Sequence, residues 1–247
     1  MLHLHRKKAF IIKTGWCSLF GFILLLNTVS AQPRDLNQSD HDTKPYYFGI
    51  TLGASLARFQ TELHPRFLQD DSVMIAEPVN SGGFTLGLLA TGRLSNRFQL
   101  RFNPQLMFLE RSIFYKLKHP DPIENITEVT KKVESVIVSF PFQIKFQSDR
   151  IGNFRVYMLA GMKGEIDLAS NARAKRAEDL IKINKYDYGL ELGLGFNFFY
   201  ESFILSPEIK ISNGMSNLHS RDENLKYSSV FDRIFSRMIV LCIHIEG

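Results

Sequence analysis

Residues 189–195, Gly-Leu-Glu-Leu-Gly-Leu-Gly, hold spaced glycines of the kind that cradle phosphates, and Ser216, His219 and Ser220 offer the hydroxyl and imidazole groups of acyl transfer. Neither reading survives its context. A phosphate loop needs glycines that open a helix, whereas these alternate with leucines inside an extended segment. The pairs Ser216/His219 and His219/Ser220 could in principle cleave a lipid ester at a membrane edge, but any polar loop supplies such pairs. The histidines after the first 31 residues, His41, His64, His119, His219 and His244, are scattered and read as solvated loop residues rather than metal ligands. No HExxH, CxxC or GxSxG motif is present. These residues therefore predict no catalytic residue, no cofactor, no metal and no enzyme.

The remaining candidates are charges. Arg101, Lys145, Arg155, Lys163 and Lys210 fall in the same segments as Glu165, Asp187, Glu191 and Glu208. Each sits opposite a stripe of apolar residues, and five cations against four carboxylates is close to balance. Such a set reads as a buried ion-pair network. The cations Arg173, Lys175 and Arg176 cluster in a separate polar stretch and read as a docking loop for a partner.

Those charges must be positioned by strands. Apolar residues recur with period two, which is the strand period and not the helical 3.6. From Tyr186 to Phe198 the even positions are all Tyr, Leu or Phe, while the odd positions are Asp, Gly, Glu or Asn. Similar alternation marks segments beginning near residues 46, 84, 98, 136, 154, 203 and 239, which makes eight strands. Pro104, Pro141 and Pro207 interrupt the pattern and predict bulges or interface positions, because proline removes a ladder donor.

The face that carries charge is also the face that carries glycine: Gly49, Gly53, Gly87, Gly161, Gly189, Gly193 and Gly195. A closed sheet in water turns its apolar face inward, whereas one in lipid turns it outward. Eight strands leave an interior wide enough only for side chains. Glycines on the inner face then make room for large charged groups. Glu191 is expected to pair with Arg101, Arg155 or Lys145, and Ser216 is expected to sit free in a loop.

Connection lengths alternate. Residues 94–97, 147–152 and 199–201 are short links, and 59–81, 111–131, 166–183 and 214–233 are long polar ones. Short periplasmic turns alternating with long extracellular loops are the habit of outer-membrane barrels. The start of the chain agrees with export: Arg6, Lys7 and Lys8 precede an apolar run from Trp16 to Leu26, and Val29-Ser30-Ala31 offers a cleavage site. That run is shorter than the roughly 20 residues of a membrane-spanning helix. Residues 1–31 read as a signal peptide, 32–45 as a periplasmic segment and 46–247 as the barrel. Without the leader's four cations the net charge falls from +5 to +1, which removes the main argument for nucleic-acid binding. The fold class expected is all-β: an eight-stranded antiparallel transmembrane β-barrel of outer-membrane type, in contact with outer-membrane lipids.

The stretch Val156-Tyr-Met-Leu-Ala-Gly-Met-Lys-Gly-Glu-Ile-Asp-Leu-Ala-Ser170, followed by residues 186–200 and 203–218, resembles the PorT (SprT) family of Bacteroidetes outer-membrane proteins. Tyr47-Phe-Gly-Ile-Thr-Leu-Gly53 is similar too. The resemblance implies a small, non-enzymatic barrel of the type IX secretion system, which serves protein export and, in gliders, motility. Its implied partners are other type IX subunits. The chain departs in ending Ile243-His-Ile-Glu-Gly247 without a terminal aromatic, and its last strand is weaker, with Arg237 on the lipid face. The reading that competes is a generic small barrel acting as an adhesin or a structural membrane protein.

Overall fold

The computed structural model describes residues 36–65, 67, 73–120, 126–170, 181–220 and 227–247. The leader assignment and the loop cations Arg173, Lys175 and Arg176 lie outside the described residues. Ten strand segments are present: β1 (Tyr46–Leu63), β2 (Val73–Val79), β3 (Ser81–Arg93), β4 (Phe98–Phe102), β5 (Gln105–Leu117), β6 (Glu128–Gln147), β7 (Phe154–Asp167), β8 (Tyr186–Phe199), β9 (Ile204–Gly214) and β10 (Phe231–Glu246). They form eight staves, because β2/β3 and β4/β5 are each one stave with a short interruption. Every pairing is antiparallel, and β1 pairs with both β3 and β10, which closes the ring.

The stagger of the ring can be read from the register. Starting at Arg58, the directly opposed residues are Arg237, Asn213, Leu190, Met162, Phe142, Phe102, Ala90 and finally Phe48, back on β1. One circuit thus slips ten positions along β1, from 58 to 48. With eight staves, a rise near 3.3 Å and a spacing near 4.8 Å, that shear tilts the strands by about 40°.

Outward positions are apolar and exposed: Tyr46, Phe48, Ile50, Leu52 and Leu56 on β1 are all at least 46% exposed, and Tyr186 to Leu194 on β8 repeat the pattern. In lipid these side chains need no cover. Along the tilted β1, Tyr46 to Leu56 climbs about 25 Å, the height of an outer-membrane apolar band. Phe98, Phe146, Phe154, Phe198 and Phe203 gather with Tyr46 near the short turns, and Tyr186 and Tyr188 stand near the opposite rim. Two depressions of about 560 and 710 Å³ open on this outer wall, one bordered by Met158, Ala160 and Leu192, the other by Leu52, Ala54 and Leu241.

The prolines fall where the ladder is already broken. Asn103 donates to the Pro141 carbonyl at 3.2 Å, so Pro141 turns its missing N–H toward the gap between β4 and β5. Pro104 lies in that gap and accepts from Leu88 at 3.0 Å. Pro207 occupies a stretch where β8 and β9 skip two rungs between Gly195↔Glu208 and Phe198↔Leu205 without changing register. Interruptions, rather than bulges, accommodate them.

Two of the expected long loops are largely strand. β1 runs to Leu63, β2 begins at Val73, β5 runs to Leu117 and β6 begins at Glu128, so the sheet continues past the apolar band. The last strand is also stronger than its sequence pattern implies, since β10 pairs with β1 from Gly49↔Glu246 to Leu63↔Phe231.

Candidate functional site

The inner face forms a filled lumen. All nine charged residues singled out in the sequence point into it and are buried, together with Arg111, Asp167 and Glu246, giving six cations and six carboxylates among the described residues. The ten-position stagger decides which of them meet.

Arg101 on β4 is the centre of the lower lumen. Its Nη1 lies 2.8 Å from Glu208 Oε2 and its Nη2 lies 3.1 Å from Glu246 Oε1, with all three side chains fully enclosed. The Tyr157 hydroxyl donates to Glu208 Oε2 at 2.7 Å. The other Glu208 oxygen lies 3.4 Å from Nε2 of His244, whose Nδ1 is 2.8 Å from the Thr51 hydroxyl. A buried charge is tolerated when hydrogen bonds satisfy it in this way. Gly195 is required here, because a methyl group at that position would overlap the Tyr157 ring. Lys145 meets a ring and an amide rather than a carboxylate among the described residues: its Nζ sits 4.0 Å from the Tyr157 ring centre and 3.5 Å from Asn197 Oδ1.

Glu191 pairs with none of the three expected cations. It accepts from Gln143 at 2.6 Å and faces Lys210 at 3.8 Å. Lys163 and Glu165, two apart on β7, meet at 2.7 Å. Asp187 accepts from the Ser216 hydroxyl, so Ser216 is tied to the lumen and is not a free loop residue. Arg111 reaches the Ser135 hydroxyl at 2.6 Å and Asp167 at 3.5 Å, with its guanidinium 4.6 Å above the Phe59 ring.

Three histidines differ from the solvated loop residues expected. His41, His219 and His244 are buried. His219 lies 2.9 Å from the Ser228 hydroxyl, and both are buried rather than presented at a membrane edge.

The upper lumen is apolar. Phe59, Val73, Ile113, Tyr115, Phe231 and Ile234 form its core, joined by Ile181, Ile183, Leu218, Tyr227 and Val230 from the connecting segments. The Tyr115 hydroxyl donates to the Tyr227 carbonyl at 3.1 Å. The space beside Arg111 is about 10 Å³, at the lower limit for one water.

The opposite end is closed by residues 36–45, which period-two reasoning could not assign. A 3-10 turn, Ser39–Asp42, places His41 against Tyr47 and Phe199, with ring centres 4.4 and 6.0 Å apart. Asp42 bridges Arg150 at 3.3 Å and Arg155 at 2.9 Å, and Arg150 stacks 3.7 Å over Phe199 while donating to the Asn37 carbonyl. Asn37 in turn donates to the Phe199 carbonyl at 3.0 Å. Burial pushes the His41 imidazole down to about 4, against the pull of Glu246 in the other direction.

A closed ring with a lipid-facing apolar wall and a filled polar lumen is the architecture of an outer-membrane barrel, and the family comparison agrees: residues 30–220 match the model described as outer membrane protein beta-barrel domain. The chain belongs to that family. It is an outer-membrane protein. No curated protein matches it. Among solved structures it is similar to Neisserial surface protein A (12% identity, 80% of this chain and 96% of that one, TM-score 0.40) and to OprG from Pseudomonas aeruginosa (14%, 82% and 94%, 0.44). It is also similar to Ail, the attachment invasion locus protein of Yersinia pestis (11%, 83% and 100%, 0.37).

Proposed function

We propose that this barrel is a non-enzymatic component of the type IX protein secretion system, needed for export of cargo proteins, within the PorT (SprT) group. The observation that carries the reading is the resemblance of residues 154–218, which include β7, β8 and β9. Among the described residues the lumen is filled by ion pairs below and apolar side chains above, which favours a contribution from surfaces exposed at the membrane faces over passage of cargo through the ring. Other type IX subunits are then the partners, and Arg173, Lys175 and Arg176 remain the candidate docking surface.

The test is deletion of the gene followed by a census of secreted proteins. Export should stop, with unprocessed cargo retained in the cell; normal secretion removes the type IX reading. Replacing Arg173, Lys175 and Arg176 together by serine should impair export while the barrel still inserts. Normal export in that variant moves the contact to the periplasmic turns.

A second reading, an adhesin or structural membrane protein, draws on the extension of β1, β2, β5 and β6 beyond the apolar band around a packed core. Such a rigid platform suits attachment. Under this reading deletion leaves secretion intact and reduces surface adhesion.

A further inference from the structure

The outer wall carries one pairing that the barrel itself does not explain. Arg58 on β1 and Arg237 on β10 are directly opposed, and both are exposed on the lipid-facing side. Like charges directly opposed across strands repel, and the cost is ordinarily relieved by a carboxylate between or beside them. Here the outward neighbours are Leu56 and Ile239 on one side and Gln60 and Phe235 on the other, with Asn213 facing Arg237 from β9. Among the described residues no acid lies within salt-bridge distance of either arginine. The next outward acid on β1, Glu62, already faces Arg233 at 3.9 Å.

The height of the pair is informative. Leu56 and Ile239 end the unbroken apolar stripe on these two strands, at 59% and 44% exposure, with the half-buried Phe235 beyond Arg237. Arg58 and Arg237 are the next outward residues along the strands, away from the short turns. Two residues along a strand tilted near 40° rise about 5 Å, which puts both guanidiniums at the headgroup level of the outer leaflet. Each guanidinium is a fixed fork of donors suited to bidentate binding of a phosphate, and a site at the edge of the hydrocarbon strengthens such a bond relative to water.

We propose that Arg58 and Arg237 together bind a phosphate group on the headgroup of an outer-leaflet lipid, with the acyl chains lying against the apolar stripe of β1 and β10. The pair clamps one phosphate from two strands, and Asn213 is placed to add a neutral hydrogen bond. Because β1 and β10 are the first and last staves, the bound lipid also spans the seam of the ring.

The test uses the full barrel in phosphatidylcholine nanodiscs containing a minor fraction of diphosphoryl lipid A, with retained lipid counted by native mass spectrometry. Wild type should retain lipid A, and Arg58→Gln/Arg237→Gln should retain it about tenfold more weakly, the loss of roughly one charge-assisted contact. Arg233→Gln, whose arginine already has carboxylate neighbours, should retain lipid like wild type. Fully dephosphorylated lipid A should be retained by wild type no better than by the double variant. Equal retention of the two lipid forms by wild type overturns the proposal without reference to any variant. Equal retention of diphosphoryl lipid A by the double variant, in protein that still shows heat-dependent gel mobility, overturns it as well.

Discussion

The two ends of the lumen are filled by opposite means. Below, Arg101, Glu208, Glu246, Tyr157 and His244 form a hydrogen-bonded charge network with no exposure. Above, Phe59, Ile113, Tyr115 and Phe231 pack as an apolar core like that of a soluble domain. The difference follows the solvent outside the wall. Where lipid surrounds the barrel, outward apolar residues need no cover and the interior is free to hold charge, although Met107, Ile137, Met238 and Val240 also pack inside it. Where the sheet rises into water, the apolar side chains gain by turning inward. One continuous strand serves both: β1 puts Thr51 and Ser55 inside the lower part and Phe59 inside the upper.

The lower half should be the more sensitive to a single change. Glu208→Leu leaves the Arg101 guanidinium with Glu246 alone and removes the acceptor of Tyr157, and loss of one partner of a buried pair costs about 3–5 kcal/mol. Urea unfolding in detergent micelles, followed by the heat-dependent gel shift, should show the barrel failing as a whole. A smaller loss would mean that water reaches the network.

In the upper half, Ile113→Ala should cost about 2–4 kcal/mol through the cavity it leaves. Its effect should be local: limited proteolysis should open the extracellular extension while the membrane part keeps its gel shift. Loss of the gel shift in that variant would show that the two fillings fold as one unit.

The smallest effect expected concerns the segment that closes the lower end. His41 is docked as a neutral imidazole, with a pKa near 4 against 6.5 when released. Between those values the released segment binds a proton that the docked one does not. Docking is therefore complete above pH 6.5 and weakens by up to tenfold per pH unit down to about 4. Glu246, Lys145, Asp42 and Lys44 act on this group, and Arg150 and Arg155 hold Asp42 beside it. Protease access to residues 36–45 should rise on acidification and should lose that dependence in His41→Phe. A flat profile in wild type would show that the Asp42 bridges alone hold the segment.

The faces of the strands were legible from sequence because period two is a local property. Tyr186 to Phe198 needs no partner to declare which side meets lipid. Pairings inside the lumen were not legible, because they depend on the shear of the whole ring: the slip of ten positions is what brings Arg101 to Glu208 and Glu246, and Glu191 to Lys210. Arg111 and Asp167 lie where polar residues suggest loops, since sheet that leaves the membrane loses its outward apolar stripe. Glu246 is hidden at the end of β10 behind the outward run Ile239 to Ile245. Residues 36–45 form no strand, so nothing periodic announces that His41 and Asp42 return to the barrel mouth.

The seam between β1 and β10 sets the order of assembly. Residues such as Gly49 and Glu246, nearly 200 positions apart, must meet before any part of the ring loses its edges. An N-terminal stave made early in synthesis therefore carries one open row of amides and carbonyls until the final sixteen-residue strand arrives. Closing so long a loop makes formation slow and leaves every intermediate prone to edge-to-edge association. A nascent or truncated chain thus depends on being held apart from its copies, and the last strand is the latch that ends that dependence.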